Sequence, residues 1–402
     1  MSQEIQRPLP PPGTGPRVVL YHQTHHGPND GPPVSLLPLI ANNTGITHII
    51  IAAIHINEGP GNITLNDHPP DHPRNTTLWG EVAWVQASGV KVLGMLGGAA
   101  KGSFDRLDGD DTSRFEAHYA PLRDILRRHR LDGIDLDIEE PTTIPGTTRL
   151  IDRLRADFGP AFLITLAPVA TGLLLNAPHL SGPAFDYHLL EQLRGHEIAW
   201  YNVGQRICTP SWRLIDGRRN STMVGETRVL HSGTMPSLQL GGGPNVSVCL
   251  VSCCLVPKRR LTPWQVLGLL TNPSNGGSGF VPIAQVESVI HSIRARHPDF
   301  GGIMGWEYFN ALPGDQARPW EWAARIGRAT RGPLPLSMVQ QAPQQAPIRP
   351  FGTPMPPAAP HPYPAESIRT LQDLGFSQQQ AVAALNSTSG NVEYAAGLLF
   401  QD

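Results

Sequence analysis

The sequence predicts an α/β protein, a (β/α)8 barrel followed by a small three-helix module, and three observations predict it. Eight short β-branched or apolar runs recur over roughly 310 residues, a number and spacing that suit a barrel of alternating strands and helices. Amphipathic stretches lie between several of them, at 77–88, 114–130 and 286–297. After a break at 333–364 dominated by Pro, Gln and Ala, helical periodicity returns and continues to Asp402.

The eight runs are 17–21, 48–54, 91–96, 133–139, 162–167, 198–203, 265–270 and 302–306. An open doubly wound sheet has the same alternation. No Gly-x-Gly-x-x-Gly phosphate cradle follows the first run, which counts against that alternative. Residues 1–16 are polar and proline-rich, without the basic start and apolar stretch of a secretory signal, so the expected location is the cytoplasm. The domain reading is a disordered tail at 1–16, a barrel at 17–332, a semi-rigid Pro/Gln-rich linker at 333–364 and a helical mini-domain at 365–402.

Composition narrows the function. A hydrophobic content of 40% suits a globular core, and a formal charge of −2 gives no electrostatic reason to expect nucleic acid or an anionic membrane as partner. No apolar run reaches the roughly 20 residues of a membrane-spanning helix. The four cysteines all lie between Cys208 and Cys254, unlike a secreted disulfide framework. They fall in 205–260, which is Gly/Ser/Arg-rich, has two acidic residues against eight basic ones and shows no period. So long a structureless loop is anomalous in a compact barrel. It reads as a disordered insertion or as non-coding sequence carried into the reading frame, and Cys249, Cys253 and Cys254 lack zinc-ribbon spacing. No metal or cofactor is expected. The Asp67–His72 stretch holds ligand-type residues but reads as a proline-stiffened connection, and Gly276–Gly279 as a tight turn.

The most informative stretch, 131–141, reads LDGIDLDIEEP. On a strand, Asp135, Asp137 and Glu139 share one face while Ile134, Leu136 and Ile138 share the other. Carboxylates about 7 Å apart at an effective dielectric near 20 repel by about 2 kcal/mol per pair, enough to raise at least one pKa. A carboxyl kept protonated near neutral pH is what a general acid requires. A solvated acidic edge strand and a divalent-metal site remain as alternatives, although the apolar opposite face argues for burial.

This stretch resembles the Asp-x-x-Asp-x-Asp-x-Glu signature of glycoside hydrolase family 18, matched by Asp132, Asp135, Asp137 and Glu139. Residues 91–98 (KVLGMLGG), 165–168 (TLAP) and 301–306 (GGIMGW) are similar to the third, fifth and eighth strands of that family, and the resemblance covers roughly 17–325. It implies retaining, substrate-assisted hydrolysis of β-1,4-linked N-acetylglucosamine, in chitin or a GlcNAc-containing oligosaccharide. By that resemblance Glu139 protonates the glycosidic oxygen and the sugar's own acetamido carbonyl attacks the anomeric carbon. Asp137 holds the acetamido N–H, Asp135 shares a proton with Asp137, Trp306 floors the pocket and Tyr21 lines it. An endo-β-N-acetylglucosaminidase trimming N-glycans in the cytosol is the alternative enzyme, and a sugar-binding adaptor with an impaired barrel the alternative class. The sequence departs from the family after the sixth strand: Tyr201 comes too early for the tyrosine that binds the acetamido oxygen, and Gln205, Arg206 and Ile207 follow instead. That departure implies weak or lost activity.

The C-terminal segment predicts helices at 368–376, 378–386 and from Gly390 to Phe400. Its Leu-Gly-Phe (374–376) and Gly390-Asn391-Val392-Glu393 resemble a ubiquitin-associated (UBA) domain. The resemblance implies ubiquitin as partner, contacted by Leu374, Gly375, Phe376, Leu398 and Leu399.

Overall fold

Arg17–His22 (β1) pairs in parallel with His48–Ile56 (β2) on one side and with Gly302–Trp306 (β9) on the other, and this double pairing closes a ring. Lys91–Gly97 (β4), Gly133–Asp137 (β5), Leu163–Leu166 (β6), Trp200–Val203 (β7) and Gln265–Leu270 (β8) complete it, each parallel to its neighbours. Ile63–Leu65 (β3) lies outside the ring as the antiparallel partner of β2. The structure, a computed structural model, describes residues 15–173, 179–204, 265–276, 279–297, 299–332, 363–373, 376, 378–388 and 390–399. All eight expected strands fall within them, to within two residues of their expected bounds. Residues 205–260, expected to be an insertion, and most of the expected tail (1–16) and linker (333–364) lie outside the described residues.

The ring closes because its strands have two apolar faces, as a parallel sheet covered on both sides requires. Along β1, Val18 and Leu20 point outward into the shell shared with the helices, while Val19 and Tyr21 point inward. The interior is filled by Val19, Ile50, Leu93, Met95, Trp200, Val266 and Met304, so it is a packed core. Trp200 closes the N-terminal end, with the Arg17 guanidinium 4.6 Å from its ring centre and the His48 ring packed edge-on at 4.7 Å.

Leu37–Ala41 (α1), Thr76–Ala87 (α2), Ser103–Leu107 (α3), Thr112–Arg128 (α4), Ile144–Phe158 (α5), Tyr187–Arg194 (α6), Ile283–Arg296 (α7) and Trp320–Arg331 (α8) belong to the same unit. Several start on short polar side chains, which satisfy amide N–H groups that the first turn leaves unpaired. Asp111 accepts from the Arg114 N–H at the head of α4, Thr143 from Gly146 at α5, and Asp186 from His188 and Leu189 at α6.

A second unit holds Ala365–Asp373 (α9), Gln378–Ser387 (α10) and Val392–Leu399 (α11). Its core is Ile368, Leu371, Ala381, Ala384, Leu385 and Ala395. Gly390 sits at φ +88° before α11, with its N–H on the Leu385 carbonyl at 2.8 Å. Phe376 is half-buried, and Leu399 packs half-buried on the module's core. Leu374, Gly375 and the side chain of Leu398 lie outside the described residues. No helix among the described residues is long and apolar enough to cross a membrane.

Candidate active site

The acidic motif divides along its length. Asp132, just before β5, lies at the N-terminal end of the barrel. There its carboxylate accepts from the Val92 N–H (2.9 Å) and Gln86 Nε2 (2.8 Å) and pairs with Lys91 Nζ (2.8 Å). Asp135 is fully buried inside the ring, whereas Asp137 and Glu139 face a cavity of about 760 Å³ at the C-terminal rim. The strand ends at Asp137, not at 139 as expected, because the Ile138 carbonyl takes the Ser181 hydroxyl (2.9 Å) in place of a strand partner.

Three side chains from three strands converge on Asp135. Tyr21 Oη of β1 donates at 2.6 Å, Thr165 Oγ1 of β6 at 2.5 Å and Asn202 Nδ2 of β7 at 3.0 Å. The last two arrive because the parallel register sets Thr165 opposite Asp135, and Trp200 opposite Thr165 with Asn202 one pleat beyond. Burial raises the Asp135 pKa above the usual carboxylate range, and the three hydrogen bonds oppose the rise. For Asp135 the largest influence is its removal from water, not the expected repulsion by the neighbouring acids. Burial, followed by the charges of Asp135 and Asp137, pushes the Tyr21 phenol well above its ordinary value, so it stays a donor.

The cavity wall combines polar and apolar groups. Tyr21 and Trp306 both line it, their ring centres 5.2 Å apart and tilted by 58°, with Met95 and Met304 beside them. Gly98 brings the β4 rim against Asp137: at φ +88° an added Cβ would stand 2.9 Å from Met95 Cε and 3.5 Å from Asp137 Oδ2.

Glu139 and Glu140 have opposite environments. Glu140 is buried outside the cavity, its oxygens accepting from the Gly102 N–H (2.5 Å) and Phe104 N–H (2.7 Å) at the head of α3. Glu307 is likewise buried and takes the N–H groups of Gln23 (3.0 Å) and Thr24 (2.8 Å), tying the β1 rim to the end of β9. Sequence reasoning missed Thr165, Asn202, Glu140 and Glu307. Alternation along β7 places Asn202 with Trp200, but only the closed ring shows that this pair faces inward. Tyr201 faces outward, with its hydroxyl on Glu191 at 2.7 Å. Among the described residues no group of three or more His, Cys, Asp or Glu side chains is placed to hold a metal ion.

Comparison with known proteins decides the family. The profile of glycosyl hydrolases family 18 matches residues 17–177. A chitinase, ChiC, from Aspergillus fumigatus superposes with a TM-score of 0.61 and is 47% identical, over 77% of this chain and 98% of that one. This chain belongs to glycosyl hydrolase family 18. A fungal family 18 endo-β-N-acetylglucosaminidase is 39% identical, with a TM-score of 0.61, over 79% of this chain and 98% of that one. The profile of the UBA/TS-N domain matches residues 363–399. DNA damage-inducible protein 1 of Chaetomium globosum is 51% identical over 61 residues, and its Kluyveromyces lactis counterpart 66% over 38. Those matches cover 14% and 9% of the relatives' own lengths, so this family 18 chain shares one short segment with them.

Proposed function

We propose that the barrel hydrolyses the β-1,4 bond of N-acetylglucosaminyl substrates with retention, by substrate assistance, and that Glu139 is its acid. The observation that carries the reading is the division of the acidic motif, with Glu139 and Asp137 on the cavity and Asp135 buried behind them. Glu139 protonates the leaving oxygen while the acetamido carbonyl attacks the anomeric carbon, so the enzyme needs no nucleophile of its own. Asp137 orients the acetamido N–H and offsets the positive charge of the oxazolinium. Asp135, with its raised pKa, shares a proton with Asp137, and Trp306 and Tyr21 shape the pocket around the sugar.

The C-terminal module binds ubiquitin through Leu374, Gly375, Phe376, Leu398 and Leu399. Because ubiquitin is a cytosolic ligand, the module favours a cytosolic protein. An endo-β-N-acetylglucosaminidase acting on N-glycans is supported by the 39% identical enzyme of that activity, and misfolded glycoproteins meet ubiquitin in the same compartment.

The test is hydrolysis of a fluorogenic di-N-acetylchitobioside and of an N-glycopeptide by wild type and Glu139→Gln. Loss of a positioned general acid costs about 10²–10⁴ in rate. Turnover that falls by that factor supports the assignment. Equal turnover by both proteins removes Glu139 from the mechanism.

A further inference from the structure

The short segment that bears the acid is anchored at both ends. Before it, Asp137 is still in the sheet, in register with Gly97, and its carbonyl accepts the Gly98 N–H at 2.9 Å. After it, Glu140 accepts the Gly102 and Phe104 N–H groups at 2.5 and 2.7 Å. Ile138 and Glu139 lie between these anchors, past the end of β5. The chain that leads into α6 clamps this segment at three points. The Ser181 hydroxyl donates to the Ile138 carbonyl at 2.9 Å, and the Ser181 carbonyl accepts the Thr142 N–H at 3.2 Å. Gly182, at φ +88°, packs on Pro141 so closely that an added Cβ would stand 3.1 Å from its Cα and Cβ.

Behind Ser181 stands Tyr187, the first residue of α6, with its Oη 3.0 Å from Ser181 Oγ. Counting protons fixes the direction of this chain. A carbonyl only accepts, so the single serine proton goes to Ile138 and the Tyr187 O–H donates to the serine oxygen. Two hydroxyls in series polarise each other, which strengthens both bonds. Ser181 is 1% exposed and Tyr187 and Ile138 are 3% exposed, so water does not compete. Burial, and beyond it the charges of Asp137, Asp135 and Glu139, hold the Tyr187 phenol above its ordinary value against the opposing Ser181 contact, so it remains a donor. The Ile138 carbonyl and the Glu139 N–H belong to one planar peptide unit. Fixing the oxygen at one end fixes the nitrogen at the other, and with it the direction in which Glu139 leaves the backbone for the cavity. Asp137 is spared, because its own carbonyl is held by the Gly98 amide. Neither Ser181 nor Tyr187 is among the described residues that line the cavity.

We infer that Ser181 and Tyr187 are positioning residues for the acid: their hydroxyl chain aims Glu139 at the glycosidic oxygen without touching substrate. This role rests on Glu139 being the acid of the proposed hydrolase. Its signature is selective. A sugar leaves with a proton from Glu139 as the C–O bond breaks and the acetamido oxygen takes its place on the anomeric carbon. A dinitrophenolate is stable enough to leave without that proton. A wrongly aimed acid therefore slows the first kind of substrate and spares the second, whereas a generally loosened barrel slows both.

The experiment uses the full chain and two substrates: dinitrophenyl di-N-acetylchitobioside, and whichever of tetra-N-acetylchitotetraose and an N-glycopeptide wild type cleaves faster. In Ser181→Ala, kcat/KM for the sugar-leaving substrate is expected to fall about 100-fold, and for the dinitrophenyl substrate by no more than about threefold. The fall should lie in kcat with KM unchanged, since the hydroxyl chain touches no sugar. Tyr187→Phe keeps the ring and removes only the hydroxyl. It should show the same selectivity at about tenfold, and it replaces Ser181→Ala if that variant does not fold. Glu139→Gln on the same two substrates is the reference for a lost acid. Undiminished turnover in Ser181→Ala and Tyr187→Phe, equal losses on both substrates, or a loss carried by KM overturns the positioning role. Selective loss in Glu139→Gln then leaves the hydrolase intact. Unselective loss in Glu139→Gln, or silence of wild type on every substrate, overturns the acid assignment and the positioning role with it.

Discussion

Replacing Asn202 by leucine tests the account of Asp135 most directly, because it removes one of three donors and keeps a side chain of similar size. Asn202 Nδ2 lies 3.0 Å from Asp135, and its Oδ1 accepts the Trp200 indole N–H at 2.9 Å. A hydrogen bond to a charged group is worth about 1.5–3 kcal/mol, which at 1.36 kcal/mol per unit lifts the Asp135 pKa by a further one to two units, roughly. The orphaned, buried indole N–H costs about 1–3 kcal/mol at every pH. The two contributions are separable by pH. Asp135 already has a folded-state pKa above the ordinary carboxylate value, so its favourable linkage is complete in acid and is lost as pH rises through the folded pKa. A still higher pKa makes that loss larger. The deficit of Asn202→Leu against wild type should therefore be smallest near pH 4 and grow by about 1.5–3 kcal/mol towards pH 8. Urea unfolding followed by tryptophan fluorescence measures it. All eight tryptophans fall between positions 79 and 322, so the signal excludes the three-helix module. A deficit that is constant with pH, or larger in acid, refutes the assignment of Asn202 as a donor to a raised-pKa carboxylate.

Two further outcomes follow from packing. At Gly305 an added Cβ would stand 2.7 Å from Thr271 Cγ2 and Trp322 Cη2 and 2.8 Å from Leu20 Cδ2, so Gly305→Ala overpacks the strand–helix shell and should cost about 1–3 kcal/mol, read as a lower Tm. Leu371 is fully buried in the C-terminal module, and Leu371→Ala should cost about 2–5 kcal/mol, comparable to the entire stability of so small a core. Amide dispersion from residues 365–399 should collapse in NMR spectra, while the tryptophan-monitored melt of the barrel stays where it is.

The barrel was legible because each strand carries its own signal. Runs such as 48–54 are β-branched on both faces, which only a doubly covered parallel strand can bury. The placement of Asp137 and Glu139 on one side followed from alternation alone. The ring of donors around Asp135 was not legible, because Tyr21, Thr165 and Asn202 reach it from three other strands, 114, 30 and 67 residues away in sequence, and register between distant strands leaves no local trace. Repulsion was the expected cause of the raised pKa for the same reason. Spacing along one strand shows which acids are neighbours, but burial depends on how the ring closes. Glu140 shows the limit at a single residue: adjacent to Glu139 and chemically identical, it serves as a helix cap because the α3 amides happen to lie on its side.

Asp132 separates a family signature from a mechanism. It counts equally with Glu139 in the four-acid pattern, yet it sits at the far end of the strand, holding α2 and β4 through Gln86, Lys91 and Val92. A natural variant that has lost it would score as a damaged motif. Such a protein should melt earlier and accumulate less in cells, while each surviving folded molecule works at its former speed. Inventories that infer dead members of this family from broken signatures will thus misfile those whose only defect lies at this anchoring position.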